Sequence, residues 1–413
     1  MVTVSTPELD LLIATRRDLH RHPEIGFEEH RTAGIVADRL RAAGYEVQTG
    51  VAITGVVGTL RGGQPGPTLL LRADMDALPI QEQTNHGFPS LNSGRMHACG
   101  HDAHVAIGLA VAERLARRQS DLPGQIRYVF QPAEEGLGGA KRMADEGVLD
   151  GVDAALGLHI WLGLPSGEVG VVEGPMMAGS QEFRITVTGR GGHGAMPQQT
   201  IDAIYAASQI VVALQSIVSR NVSPLEGAVV TVGSFHAGTA PNVIAESAIL
   251  NGTIRAFDTK VAELVHRRVG EVARGVAESL GAEAHVELRD LYYPPTDNDP
   301  DMVQIVGQAA TEVVGKDRVR TDPDVRTMAA EDFSEFSRRV PGCYFFVGAA
   351  NPEIGAIHPH HSPHFDLCEA AMPVGVEVLE RSTMAFLVGD SRPPVHAPRD
   401  SRTQPSDNHA SIT

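Results

Sequence analysis

Residues 181–190, QEFRITVTGR, alternate apolar and polar side chains through Phe183, Ile185 and Val187, the period-two pattern of a strand with one buried face. Upstream, the short apolar runs GVVGTL (55–60), TLLLRAD (68–74), IRYVFQ (126–131) and DAALGLHI (153–160) are separated by helical stretches such as HVAIGLAVAERLARR (104–118). Strands alternating with helices predict an α/β domain with a largely parallel sheet. The change of texture at Gln181 therefore marks the start of something else.

Downstream come a long helical run (200–220), AVVTVGSFHAG (228–238), AESAILNGTIRAF (245–257), a second helical run (261–281) and AHVELRDLYY (284–293). This β-α-β-β-α-β order is the ferredoxin-like signature, a complete small α+β domain at 180–292. After PPTDNDP (294–300) the α/β texture returns, with the strand CYFFVGA (343–349) and a final helix from Met372 to Gly389. The expected organisation is one α/β domain, residues 1–179 and 293–389, interrupted by the inserted domain. Its first helical stretch runs from about Pro7 to Ala43 with a break at Pro23–Gly26. The tail, 390–413, is nearly devoid of apolar residues and is expected to be disordered.

A chain of 413 residues exceeds one ordinary core, in keeping with two domains. Its formal net charge of −17 argues against a nucleic-acid or anionic-membrane binder. Three cysteines, Cys99, Cys343 and Cys368, are too few for a disulfide framework and suit a reducing compartment. The N-terminus lacks the pattern of a secretory signal, and no run approaches the roughly 18 apolar residues of a membrane span. A cytoplasmic protein is expected.

Residues 189–194, GRGGHG, satisfy G-x-G-x-x-G, but the acidic residue that a ribose needs about 20 positions on is missing. A dinucleotide oxidoreductase is thus disfavoured, and the turn is read as exposing His193. Other polar groups follow strand-like runs: Asp74 and Asp76 in RADMDALP (72–79), Glu134 and Glu135 in FQPAEEGLGG (130–139), and His159 in LGLHI. Cys99 and His101 stand two apart in MHACGHDAH (96–104), and HPHHSPHFD (358–366) carries four histidines. Each group alone has a bland reading: a helix cap, solvated carboxylates, a core histidine. Jointly they fall where the strand ends of an open α/β sheet share one crevice. Thiolate, imidazole and carboxylate suit borderline divalent ions, and a pair of ions can polarise a carbonyl and activate water.

The chain resembles the metal-dependent aminoacylase and carboxypeptidase superfamily, in its branch of hippurate hydrolases and auxin-amino-acid amidohydrolases. The resemblance rests on LHRHPEIGFEEHRTA (19–33), RADMDALP, MHACGHDAH, FQPAEEGLGGA, GLHIW, GRGGHGAMP, APNVIAESAILNGTIRAFD (240–258), MAAEDFSEF (328–336) and HHSPHFD (360–366), in that order. It implies a zinc-peptidase-like catalytic domain with an inserted lid and dimerisation domain. It also implies two divalent ions per subunit, zinc first, with manganese, cobalt or nickel accepted by the same donors. Cys99 matches the bridging ligand, His101, Glu135, His159 and His361 match the remaining ligands, and Glu134 matches the general base. Asp76 matches an aspartate that orients a ligand, while Asp74 stands where other branches carry a histidine. His193 matches a histidine that reaches the partner subunit of a homodimer, and Asn242 and Arg255 match residues that hold substrate. The implied activity is hydrolysis of N-acyl amino acids, with a dipeptidase or an N-acetyl-diaminopimelate deacetylase as the near alternatives. A non-catalytic metal-binding protein is the more distant one.

Overall fold

The computed structural model describes residues 5–389, so the expected disordered tail at 390–413 lies outside the described residues. The chain divides into two units. One comprises the chain up to Gly174, Asp297–Val325 and Asp332 onward; the other comprises Pro175–Thr296 and Arg326–Glu331.

Among the described residues, the first unit is built on an eight-stranded sheet in the order Glu46–Val51, Gly55–Arg61, Pro123–Gln131, Gln64–Asp74, Ala154–Pro165, Gly342–Ala350, Val169–Gly170, Val319–Arg320. The four central strands, Pro123–Gln131 to Gly342–Ala350, run parallel, and each outer one of them pairs antiparallel with the strand beyond it, Gly55–Arg61 on one side and Val169–Gly170 on the other. Parallel strands are covered on both faces. Gln64–Asp74 is accordingly buried from Pro67 onward, and Gly342–Ala350 is buried along all but its last residue. The helix His101–Ala116 buries nearly its whole circumference, which explains why its apolar pattern is continuous rather than a stripe. Helices Thr6–Arg21, His30–Ala42 and Met372–Val388 supply further apolar residues to the same core, including Leu12, Leu19, Val36, Leu40 and Leu379. The sequence expectation of one helical stretch broken near Pro23 is met by Thr6–Arg21 and His30–Ala42.

The second unit carries a four-stranded antiparallel sheet, in the order Ala228–Ala237, Ser247–Ala256, Gly179–Thr188, Glu283–Tyr293. Gly179–Thr188 alternates strictly, with Phe183, Ile185 and Val187 inside. Helices Ala203–Arg220 and Thr259–Ser279 are N-capped by Asp202 and Asp258, whose carboxylates accept from the first-turn amides. Thr259–Ser279 buries Ala262, Val265, Val269, Ala273 and Ala277, the three-to-four spacing of one face. The unit also takes in Arg326–Glu331, because Thr327 bridges Met177 and the Ala178 amide lies within bonding distance of the Thr327 and Ala329 carbonyls. One finding differs from the sequence expectation. Ala203–Arg220 has the length and composition of a membrane span. Its inner residues Ala206, Ile210, Leu214 and Ile217 are fully buried in the core of this unit, as in a core helix that passes the same test.

Candidate metal centre

The carboxyl ends of the parallel strands in the first unit deliver the polar groups singled out by the sequence. Asp74 ends one strand, and Glu134 and Glu135 follow Pro123–Gln131 after Ala133, which adopts φ 56°. His159 lies within Ala154–Pro165, and His361, at φ 67°, follows Gly342–Ala350. Gly100, at φ 93°, turns the chain between Cys99 and the helix that starts at His101.

The donor atoms of Cys99, His101 and His159 all lie within 4.8 Å of one another, and so do those of Cys99, Glu135 and His361. Cys99 belongs to both groups. Its Sγ is 3.5 Å from His159 Nε2, and Glu135 Oε1 is 3.2 Å from His361 Nε2 and 4.0 Å from His101 Nε2. His101 Nδ1 donates to the Asp76 carbonyl at 2.8 Å and His159 Nδ1 to the Ile160 carbonyl at 2.6 Å, which turns Nε2 of each ring toward the cluster. His101 Nε2 and Glu135 Oε1 are buried and make no hydrogen bond. Unpartnered buried polar atoms are costly, so a sulfur, three imidazoles and a carboxylate gathered this way fit divalent cations. Of the four clustered histidines, His361 reaches the donor group. His360 stacks on Trp161, and His358 and His364 pack against each other.

The gathered groups shift one another's protonation. Burial, then Glu135, Glu134 and Asp74, push the Cys99 thiol well above its ordinary value. Burial and the rings of His104 and His360 hold the His159 imidazole well below its own. Burial opposes charge on His101, but Asp74 and Asp76 outweigh it and raise that group to about 10. A divalent ion at these donors reverses the balance for the thiol and for His101.

Asp76 is the organising carboxylate. Its Oδ1 and Oδ2 accept from the Glu134 and Glu135 amides, each at 3.0 Å, so one residue fixes both glutamates and, through its carbonyl, His101. Sequence reasoning did not assign three further supports. His104 Nε2 accepts from the Ile160 amide at 2.9 Å while Nδ1 donates to Asp74 at 2.6 Å, so both nitrogens are used in holding the strand and Asp74. Arg72, fully buried, pairs with Asp74 and Asp332 beneath the cluster. Glu29, also fully buried, accepts from the Ala133 amide at 2.9 Å and lies 2.5 Å from Thr54 Oγ1, holding the left-handed residue that precedes Glu134.

Burial, with Asp76 nearby, raises the Glu29 carboxyl from 4.5 to about 7. The folded state then keeps a proton that the unfolded chain releases, so the stabilisation is complete below 4.5 and is lost as pH rises through about 7. Glu29→Gln is expected to remove this fall, on the order of a few kcal/mol at about 1.4 kcal/mol per pKa unit. Denaturant unfolding at about pH 5 and about pH 8 checks it. An equal pH dependence in the variant and the parent would refute it.

In the second unit, Gly192–His193 pairs with Val243–Ile244, and the Gly194 amide donates to the Asn242 carbonyl at 2.8 Å, so His193 and Asn242 are neighbours. His193 Nδ1 accepts from the Ala195 amide at 3.1 Å, which leaves the proton on an exposed Nε2. A Cβ at Gly189 would meet the Ile201 carbonyl at 2.2 Å, and one at Gly192 would meet Thr200 at 2.6 Å. These glycines let the chain approach itself, and Arg190 bridges Ile201 before the helix Ala203–Arg220 begins, unlike a phosphate-cradling turn. Arg255 sits half-buried on Ser247–Ala256 opposite Ser180, where burial lowers its pKa and Glu182 counters.

Residues 70–385 match the sequence profile of Peptidase family M20/M25/M40. The chain is 40% identical over 369 residues to thermostable carboxypeptidase 1 of Saccharolobus solfataricus, covering 89% of this chain and 93% of that one. It is 40% identical over 383 residues to IAA-amino acid hydrolase ILR1-like 4 of Arabidopsis thaliana, covering 92% and 86%. The Bacillus subtilis YXEP protein, described as a dinuclear metal binding peptidase, superposes with a TM-score of 0.80 at 34% identity, covering 93% and 99%.

Proposed function

The chain belongs to Peptidase family M20/M25/M40 and is a metal-dependent amide hydrolase, and from that premise we propose that its substrates are N-acyl amino acids, cleaved to a carboxylic acid and a free amino acid. The sharing of Cys99 between two donor groups, with Glu134 beside them, carries this reading.

Cys99, His101, Glu135, His159 and His361 would hold the ions, zinc foremost and manganese, cobalt or nickel compatible with the same donors. Bound there, a divalent pair supplies Lewis acidity toward a carbonyl and lowers the pKa of water. Glu134 acts as general base on the attacking water and returns the proton to the leaving amine. Its buried carboxylate sits next to a ligand, on a backbone that Asp76 fixes in place. Asp76 thus aligns the acid–base group and two ligands at once. His193, with its Nε2 proton exposed, donates to the developing negative charge on the carbonyl oxygen, from the partner subunit of a homodimer formed through the second unit. Asn242 and Arg255 hold the amino-acid carboxylate, for which a planar guanidinium is suited. A reducing, cytoplasmic setting is supported by the free thiols of Cys99, Cys343 and Cys368, and cell fractionation checks it.

Hydrolysis of a panel of acetyl, benzoyl, indole-acetyl and long-chain N-acyl amino acids, with and without added zinc, manganese or cobalt, tests the proposal. Metal-dependent release of free amino acid is expected, and the ranking defines the acyl pocket. Dipeptides and N-acetyl-diaminopimelate in the same panel distinguish the two neighbouring activities, and cleavage of these alone would overturn the substrate class. Mixed dimers of His193→Ala and Glu134→Ala subunits are expected to regain activity in this assay. Confirmed mixed dimers that stay silent would refute the role of His193 across subunits.

A further inference from the structure

Away from the centre described above, a second group of donors converges between helix Thr6–Arg21 and the segment that follows Ile80. His20 Nε2 lies 3.4 Å from Glu82 Oε1, and His86 Nε2 lies 3.1 Å from the same oxygen. The three donor atoms fall within 4.8 Å of one another, and the side chains of His20, Glu82 and His86 are 0%, 4% and 10% exposed. Thr84 Oγ1 contacts Glu82 Oε1 and lies 3.1 Å from His86 Nε2.

We propose that His20, Glu82 and His86 form a further divalent-cation site of the zinc class, which pins the segment between Ile80 and Met96 to the first helix.

Several observations carry it. Metal–nitrogen and metal–oxygen bonds of about 2.0–2.2 Å set donor–donor edges of about 3.3–3.6 Å in a tetrahedral site; the His20–Glu82 distance of 3.4 Å falls in that range and the His86–Glu82 distance of 3.1 Å lies just short of it. His20 Nδ1 is 2.8 Å from Asp102 Oδ2, the carboxylate–histidine arrangement that fixes a ligating tautomer. Both His20 nitrogens face carboxylate oxygens, Asp102 Oδ2 and Glu82 Oε1, so either a second ring proton or a cation stands between Nε2 and Glu82. The surrounding charge also asks for one. Arg16 and Arg17 pair with Asp102, Asp366 and Glu369, and together with Glu82 these acids outnumber the two arginines by two, an excess that falls to His20, His86 or a cation to balance. Arg21 at the rim is exposed and bonds the Gly87 carbonyl. A divalent ion balances the excess without placing two imidazolium rings, with centroids 4.9 Å apart, against each other. A cavity of about 630 Å³ borders the group on the His86 side, lined also by Phe88, Arg17, Asp366 and Glu369.

Such a site has a structural task. From Ile80 to Arg95 the chain forms no helix or strand, and it is tied down by contacts such as the Ser90 amide to Glu82 and the Leu91 amide to the Arg21 carbonyl. Long unstructured connections in a compact domain are commonly functional or held by a ligand. This one leads directly into Met96 and Cys99.

The test is zinc stoichiometry on the untagged full chain, metal-depleted, reloaded with zinc chloride, washed, and measured by elemental analysis. His86→Ala is expected to bind one equivalent less than the parent while keeping the ions held with Cys99. Cys99→Ala is expected to retain the equivalent bound at His86. Equal stoichiometry in His86→Ala and the parent would overturn the site and mean that protonated imidazoles balance the charge. A folded Cys99→Ala protein that binds no zinc would overturn it equally, while leaving the proposed hydrolysis intact. Should His86→Ala fail to fold, Glu82→Gln is read in the same way. Limited proteolysis within Ile80–Arg95 is expected to accelerate in His86→Ala and to be insensitive to zinc there.

Discussion

Glu134→Ala is expected to lower turnover at least 10²- to 10⁴-fold, the range of a lost general base, equivalent to about 3–5 kcal/mol of transition-state stabilisation. Metal content should be unchanged, because the donor groups built on Cys99 do not need this side chain. The backbone should hold as well, since the Glu134 amide, not its carboxylate, anchors to Asp76. Glu134→Gln keeps the shape and removes the basicity, and it should fall about as far. Steady-state kinetics on the best substrate, beside elemental analysis, decides the matter. Near-normal turnover in either variant, with the ions bound, would sink the assignment of Glu134.

The second large effect is on metal binding. Cys99→Ala is expected to empty both donor groups of the main centre and to abolish hydrolysis with them. The sulfur is the atom that the His101–His159 group and the Glu135–His361 group have in common, so its removal weakens both at once. His361→Ala, by contrast, deletes an exposed ligand of one group and should leave part of the metal in place. Cys99→Asp supplies a carboxylate that can bridge as the thiolate does, and it should recover metal and part of the activity. Retention of both main-centre ions in Cys99→Ala would refute the shared role.

The elements most legible in the sequence were those in which one local period dominates. The alternation of Phe183, Ile185 and Val187 and the helical spacing of Val265, Val269 and Ala273 each reappear as a buried face. The donors were legible for another reason: cysteine and histidine are scarce, and they follow apolar runs that become the parallel strands. The supports were not. Glu29 acts on Ala133, 104 positions away, and Arg72 acts on Asp332, 260 positions away, and no local pattern encodes such pairs. His104 was visible but ambiguous, since only the Ile160 amide and Asp74 show that both its nitrogens are committed. The flanking strand Glu46–Val51 is largely exposed and carries little apolar signal. Val169–Gly170 and Val319–Arg320 are too short to carry a period.

The strand Gly342–Ala350 lies in the middle of the large sheet, hydrogen-bonded to Ala154–Pro165 on one side and Val169–Gly170 on the other, although the whole inserted unit separates it from them in sequence. During synthesis the ribosome therefore delivers Ala154–Pro165 long before its partner exists. The nascent sheet waits with a bare, apolar edge, the kind of surface that pairs with the wrong chain. The insertion, whose strands mostly pair within its own stretch, can fold while the rest waits. The last donor, His361, emerges after the closing strand. The donor groups built on Cys99 are therefore complete only after the chain beyond the inserted unit has been made.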